Sequence, residues 1–156
     1  MSVFSQKIVL IETEYILKNV PAYTKATSQL DQNSKKWQAE VEAASNEAKQ
    51  MYNSYQAKST KLTTAQKNLQ ENAIVEKEKK AADLKRKYFG PQGELAKLRE
   101  SLIKPIQDQI YNAVKSISER YGYSVVLDRA TDSSIIYATP KIDISDDVLS
   151  KMGYSK

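Results

Sequence analysis

The sequence predicts an α+β fold, a small three-stranded β body domain carrying a long protruding α-helical hairpin, a coiled-coil arm. Three observations predict it. No glycine or proline occurs between Pro21 and Gly90, and both are costly inside helices. Apolar residues in that stretch recur three and four apart, the spacing of a helical seam. Short β-branched runs stand near both ends, at Lys7–Glu12, Tyr123–Asp128 and Ser134–Ala138, and read as strands.

The breaker-free stretch comes first because the rest is organised around it. Val41, Ala44, Ala48, Met51, Tyr55, Leu62, Ala65 and Leu69 form a heptad seam with one polar slot at Lys58, and the step from Trp37 to Val41 reads as a stutter. A single helix over residues 22–89 would be about 100 Å long at ~1.5 Å per residue, too long for a small globule to bury. The expected fold-back is Ser59–Thr64, where hydroxyl and β-branched residues cluster and Thr63 with Gln66 has capping-box spacing. The ascending helix has few apolar anchors beyond Leu69, Ile74, Leu84 and Tyr88, and Phe89-Gly-Pro-Gln-Gly93 interrupts it as an expected hinge. A second amphipathic stripe, Leu95 to Tyr121, follows, with a kink expected at Pro105.

Toward the ends, Lys7–Glu12 reads as a strand buried on both faces, followed by a short helix from Thr13 or Glu14 to Val20. Gly122 reads as the cap after the second stripe. Tyr123–Asp128 and Ser134–Ala138 then read as a β-hairpin about a turn at Arg129–Ser133. Ser145 is the expected N-cap of a terminal helix that stops at Gly153. The expected division is a body from residues 1–21 and 105–156 and an arm from 22–104, with its turn near 59–64 and kink near 89–93. So small a body predicts a homo-oligomer in which sheets combine, with Ile8, Leu10, Val125, Leu127 and Ile136 on the interface strands.

Composition narrows the chemistry. Cysteine and histidine are absent, which removes thiolate nucleophiles, disulfides, the usual neutral-pH base and the commonest metal ligand. Asp128, Asp143, Asp146 and Asp147 have turn and cap roles, and no phosphate loop or nucleophile elbow is present. Neither catalysis, a metal, a cofactor nor a nucleotide is expected. The opening Met1–Gln6 does not read as a signal peptide, and no run suits a membrane span. The net charge of +5 lies within residues 22–89, which hold 13 Lys/Arg against 8 Asp/Glu. From Ala48 to Gln70 there is no acid, only Lys49, Lys58, Lys61 and Lys67, a patch suited to anionic partners. Acids interleaved through the rest of the rod disfavour nucleic-acid binding.

The chain resembles the Skp/OmpH family of periplasmic holdase chaperones. The resemblance rests on Lys7-Ile-Val-Leu-Ile-Glu-Thr-Glu-Tyr-Ile-Leu, Lys104-Pro-Ile-Gln, Tyr121-Gly-Tyr-Ser-Val-Val-Leu-Asp-Arg, and Ile136-Tyr-Ala-Thr-Pro-Lys-Ile-Asp-Ile-Ser-Asp-Asp-Val-Leu. No leader of the family's kind is read in Met1–Gln6 as written, and the Phe89–Gly93 break is a second departure from the family. The resemblance implies a periplasmic, jellyfish-like homotrimer in which three hairpin arms enclose a cavity. Unfolded outer-membrane proteins would be held there without nucleotide.

On that reading the arm surface at Met51, Tyr52 and Tyr55 contacts clients, Tyr52 foremost because it lies off the seam; Met51 and Tyr55 also suit the hairpin core. Trp37 is a packing anchor. Lys58, Lys61 and Lys67 form a basic arm tip that would attract acidic client segments or an anionic membrane surface. The alternatives are a cytosolic prefoldin-like chaperone or a passive coiled-coil scaffold. A scaffold calls for an uninterrupted Leu/Ile seam, which Ala44, Ala48, Met51 and Tyr55 do not provide.

Overall fold

Val9 and Ile11 alternate with Ile8 and Leu10 along the first strand, so the run has two apolar faces, and a computed structural model shows how each is used. It describes residues 6–154; the first five and last two residues of the expected body lie outside them. β1 (Lys7–Ile11) pairs with β2 (Tyr123–Asp128) in parallel, Ile8 opposite Val125, Val9 opposite Val126, Leu10 opposite Leu127 and Ile11 opposite Asp128, with an irregularity between Lys7 and Ile8. A parallel pair needs a long crossover, and all the intervening helices supply it. Between the strands lie α1 (Thr13–Lys18), α2 (Pro21–Lys58), a 3-10 turn (Ser59–Lys61), α3 (Thr64–Phe89) and α4 (Glu94–Tyr121). After β2 come a second 3-10 turn (Pro140–Ile142) and α5 (Ser145–Lys151).

The chain forms two units, one from residues up to Thr27 together with those from Ser101 onward, the other Ser28–Glu100. In the first, the body, Val9 and Ile11 face a core of Ile16, Val20, Ile106, Ile110, Ile117, Val148 and Leu149, with Ile16, Val20 and Val148 fully enclosed. The apolar stripe of α4 supplies the middle of that core at three- and four-residue spacing, and α4 continues through Pro105. Gly122 turns the chain from α4 into β2 at φ +69°, a conformation glycine adopts without steric penalty.

The expected third strand is not formed. Residues 134–138 belong to no strand, and Ile136 is 98% exposed and Tyr137 84%. After β2 the backbone closes a tight turn, Thr131 and Asp132 N–H donating to Asp128 O at 3.2 and 3.0 Å, and the chain does not return along β2. It reaches the other edge of β1 instead, where Leu10 bridges Asp143 and Ile144 N–H donates to Leu10 O at 2.9 Å. β1, not β2, therefore has neighbours on both edges, and among the described residues the sheet has two strands.

Ser145 is not the N-cap of α5, a position held by Ile144. Its hydroxyl accepts Glu12 N–H at 2.8 Å, and its own N–H donates to Asp143 Oδ1 at 2.9 Å. The residue ties α5 to the end of β1. Ser145 is 4% exposed, so both bonds matter.

The second unit is a helical hairpin. Thr63 Oγ1 accepts Gln66 N–H at 3.2 Å and Gln66 Oε1 accepts Thr63 N–H at 3.0 Å, the reciprocal capping box, and α3 starts there. On α2 the seam runs through Leu30, Trp37, Val41, Ala44, Ala48, Met51 and Tyr55, all buried or half-buried. Its next position is the half-buried Ser59 rather than Lys58, which is exposed. On α3 the inward residues are Lys67, Gln70, Ile74, Lys77, Ala81, Leu84 and Tyr88, in strict three-four alternation. Leu69, expected in the seam, is 74% exposed. Polar residues at three of the seven inward positions hid this seam from apolar periodicity.

The break between α3 and α4 is closely packed. A Cβ on Gly90 would lie 2.4 Å from Arg86 O, and one on Gly93 2.8 Å from both Lys87 O and Tyr88 O. Gly90 N–H donates to Arg86 O and Gly93 N–H to Gly90 O, each at 2.9 Å. The glycines permit this close approach of backbone.

Candidate functional site

The hairpin presents two different flanks because its side chains differ across the seam. On one flank, Tyr88 Oη donates to Glu40 Oε2 at 2.5 Å and Lys77 Nζ to Glu47 Oε1 at 2.5 Å. Trp37 stacks on Tyr88 with centroids 5.0 Å apart. Nearer the turn Tyr55, from the seam, donates to the Glu71 carboxylate, which shares its face of α3 with Glu78. The bonds to Glu71 and Glu40, followed by burial, raise the Tyr55 and Tyr88 phenols above their ordinary value, because a nearby carboxylate disfavours phenolate. These pairs set an antiparallel register that brings Ala44 level with Ala81 and Met51 level with Ile74.

The other flank is open. From α2, Val41, Ser45, Ala48, Lys49 and Tyr52 recur at helical spacing along one side. From α3 come Glu78, Ala81, Ala82 and Lys85. Small side chains cannot fill the space between two helix backbones, and a groove of about 360 Å³ results. Ala48 and Ala81, 3% and 7% exposed, form its floor. Tyr52 is one wall, 45% exposed, its hydroxyl accepting Gln56 Nε2–H at 2.8 Å. Lys49, Glu78 and Lys85 are exposed on the rim and have no hydrogen bond or ion pair among the described residues.

The structure thus separates the three expected client contacts. Tyr52 borders the groove, Met51 is half-buried in the seam, and Tyr55 is half-buried and bonded to Glu71. Of the basic residues, Lys58 and Lys61 are exposed at the chain reversal while Lys67 is half-buried on the first turn of α3. The α3 side of the groove went unread in the sequence; the adjacent pair Ala81-Ala82 was its signal.

The body has its own apolar surface. Ile8 and Val125, opposite each other in the ladder, are 48% and 44% exposed. Leu127 is half-buried, and Leu10, whose backbone bridges Asp143, is 4% exposed. Ile136 is open to solvent in the segment that forms no strand. At the end of β2, Asp128 accepts from Thr13 N–H at 3.1 Å, from the Thr13 hydroxyl, and from Ala130 N–H at 3.1 Å. Burial alone would push this carboxyl up, but these bonds outweigh it and hold it below the usual carboxylate value. Its place is structural, since it caps the start of α1. Among the described residues no cluster of acidic side chains could hold a metal, and no helix is long and apolar enough to cross a membrane.

Comparison with known proteins adds to this geometry. The chain is 24% identical over 151 residues to the chaperone protein Skp of Yersinia enterocolitica, covering 97% of this chain and 88% of that one. Its fold is similar to that of an OmpH-like protein of Caulobacter crescentus, solved as a candidate outer membrane chaperone. The TM-score is 0.71 at 14% identity, over 94% of this chain and 83% of the other. The sequence pattern of the family described as outer membrane protein (OmpH-like) matches residues 7–152. The chain belongs to the OmpH-like outer membrane protein family.

Proposed function

We propose that the protein is a periplasmic, ATP-independent holdase that binds unfolded outer-membrane proteins between helical arms of a homotrimer and prevents their aggregation. The observation that carries this reading is the open flank of the hairpin, where small alanines leave a groove and Tyr52 keeps apolar surface uncovered beside exposed charge. A coiled coil serving only as a rod would close that flank with large side chains. Weak apolar contacts repeated over several hairpins give retention without chemistry, since linked sites raise effective concentration.

Trimerisation would use the body. Ile8, Val125 and Ile136 offer apolar surface beside a sheet of only two strands, and such a sheet gains from further pairing. Lys58, Lys61 and Lys67 would draw acidic client segments or an anionic membrane surface toward the hairpin ends.

The test is dilution of a urea-unfolded outer-membrane β-barrel protein into buffer with and without the chain, no nucleotide being added. Suppressed turbidity at stoichiometric trimer, together with a trimer mass by light scattering, is the expected result. Unchanged turbidity would refute the holdase reading, and a monomer at micromolar concentration would refute the assembly.

A further inference from the structure

We infer that the Ala-floored groove of a single hairpin is a discrete peptide subsite, selecting an apolar or aromatic side chain that has an acidic neighbour in an extended segment. The inference rests on the holdase reading and gives it a chemical specificity. Its basis is a groove that small residues leave between the helices, an exposed aromatic wall, and a rim with charge left over. Ala48 and Ala81, small and buried, make the bottom shallow and apolar, and the exposed Tyr52 offers an aromatic wall for edge or stacked contact. The space, about 360 Å³, lies near the bottom of the ~300–1,000 Å³ range of small-ligand pockets. That is room for one or two side chains, not for folded structure.

Charge selects the neighbour. Lys49 from α2 and Lys85 from α3 stand on opposite rims, and Glu78 is the only acid between them. Among the residues that line the groove there are thus two cations and one carboxylate, none in an ion pair among the described residues, whereas on the opposite flank Lys77 is paired with Glu47. An Asp or Glu beside the inserted side chain would meet a lysine on either rim, whichever way the segment runs. That tolerance suits a site built to hold many sequences.

The chain has no cysteine or histidine, and Ala82 is exposed at the groove edge, so filling the groove there does not touch the hairpin core. The probe is a fluorescein-labelled peptide with Phe between two Asp in a Gly/Ser background, and a twin with Lys in place of Asp, followed by anisotropy. Wild type is expected to prefer the acidic peptide several-fold. Ala82→Phe should weaken it about tenfold, since an inserted apolar side chain loses its burial. Lys49→Glu/Lys85→Glu, both exposed, should reverse the preference toward the lysine peptide. Failure of wild type to bind the acidic peptide, equal binding of both peptides, or binding untouched by Ala82→Phe would each overturn the subsite. Turbidity suppression by wild type in the same preparation separates the two readings. Suppression without groove-dependent peptide binding sinks the subsite alone, while groove-dependent binding without suppression sinks the holdase reading alone.

Discussion

The indole of Trp37 lies flat on the ring of Tyr88, with 5.0 Å between centroids and 9° between planes, while the Tyr88 hydroxyl donates to Glu40 at 2.5 Å. The pair joins α2 to the last turn of α3, next to the glycines that end that helix. Trp37 is the sole tryptophan, so its emission reports this junction. Tyr88→Phe should keep the emission maximum and lower the thermal midpoint slightly, because the stack survives and only the hydrogen bond is lost. Tyr88→Ala should shift emission to longer wavelength and lower the midpoint more. Identical spectra for Tyr88→Ala and wild type would show that the stack does not form in solution.

Gly90 and Gly93 give a second prediction. Each lacks room for a Cβ because main-chain oxygens approach within 3 Å, and main chain cannot rotate aside as a side chain can. Gly90→Ala or Gly93→Ala should therefore cost about 1–3 kcal/mol, the usual range for overpacking, read as a lower denaturation midpoint. Slow hydrogen exchange at both amides should accompany this, each having a 2.9 Å bond. Neutral alanine variants would mean that the segment is open, as a free hinge would be.

Asp128 gives a pH dependence. Its carboxyl is held below the ordinary value in the folded chain, so the folded state favours the ionised form more than the unfolded state does. The stabilisation is complete above the unfolded value of ~3.9 and is lost as pH falls through the lower folded value. Asp128→Ala should cost about 1 kcal/mol at neutral pH, as loss of a helix cap does. Wild-type and variant midpoints should converge as pH drops below about 4. Asp132, also lowered by its bonds from Ser134, remains in both chains and cancels in the difference. A gap between the curves that stayed constant from pH 7 to 2 would contradict the assignment.

The parts legible in the sequence were those whose cause is local. The Thr63–Gln66 capping box and the left-handed Gly122 are properties of a few adjacent residues, and both form. The apolar stripe of α4 reads correctly because a helix with one buried face shows its period. What failed depends on distant partners. Ser145 has the residue type of an N-cap, but it is the first residue of α5 and its hydroxyl is taken by Glu12, 133 positions away. Ser134–Ala138 has the composition of a strand yet no neighbour: it leaves the second edge of β2 unpaired, and Asp143, not this segment, takes the other edge of β1. β-propensity records fitness for a sheet, not the presence of one. On the hairpin, Tyr52 was readable as off-seam, but the groove needs the register of α3, and polar Lys67, Gln70 and Lys77 concealed it.

The final prediction concerns the lysines around the chain reversal. Lys58 and Lys61 are exposed beside the 3-10 turn, and Lys67 is half-buried on the first turn of α3. No acid lies between Glu47 and Glu71, and Glu71 is itself occupied by Tyr55. None of the three is in an ion pair among the described residues, Lys58 and Lys61 lie far from any acid in sequence, and the cost is small at exposed sites where repulsion is screened over ~8 Å at physiological salt. Their field acts on approach more than on retention, because steering raises association rates. Replacing Lys58, Lys61 and Lys67 by Gln should leave helicity and assembly unchanged, with at most a few tenths of a kcal/mol from Lys67, whose stem packs toward the seam. Stopped-flow capture of an unfolded outer-membrane protein should slow several-fold at low ionic strength and approach the wild-type rate as salt rises. Dissociation should change little, since the groove lies farther along the hairpin than these residues. Equal capture rates for the triple variant and wild type at low salt would reduce the lysines to a solvated turn.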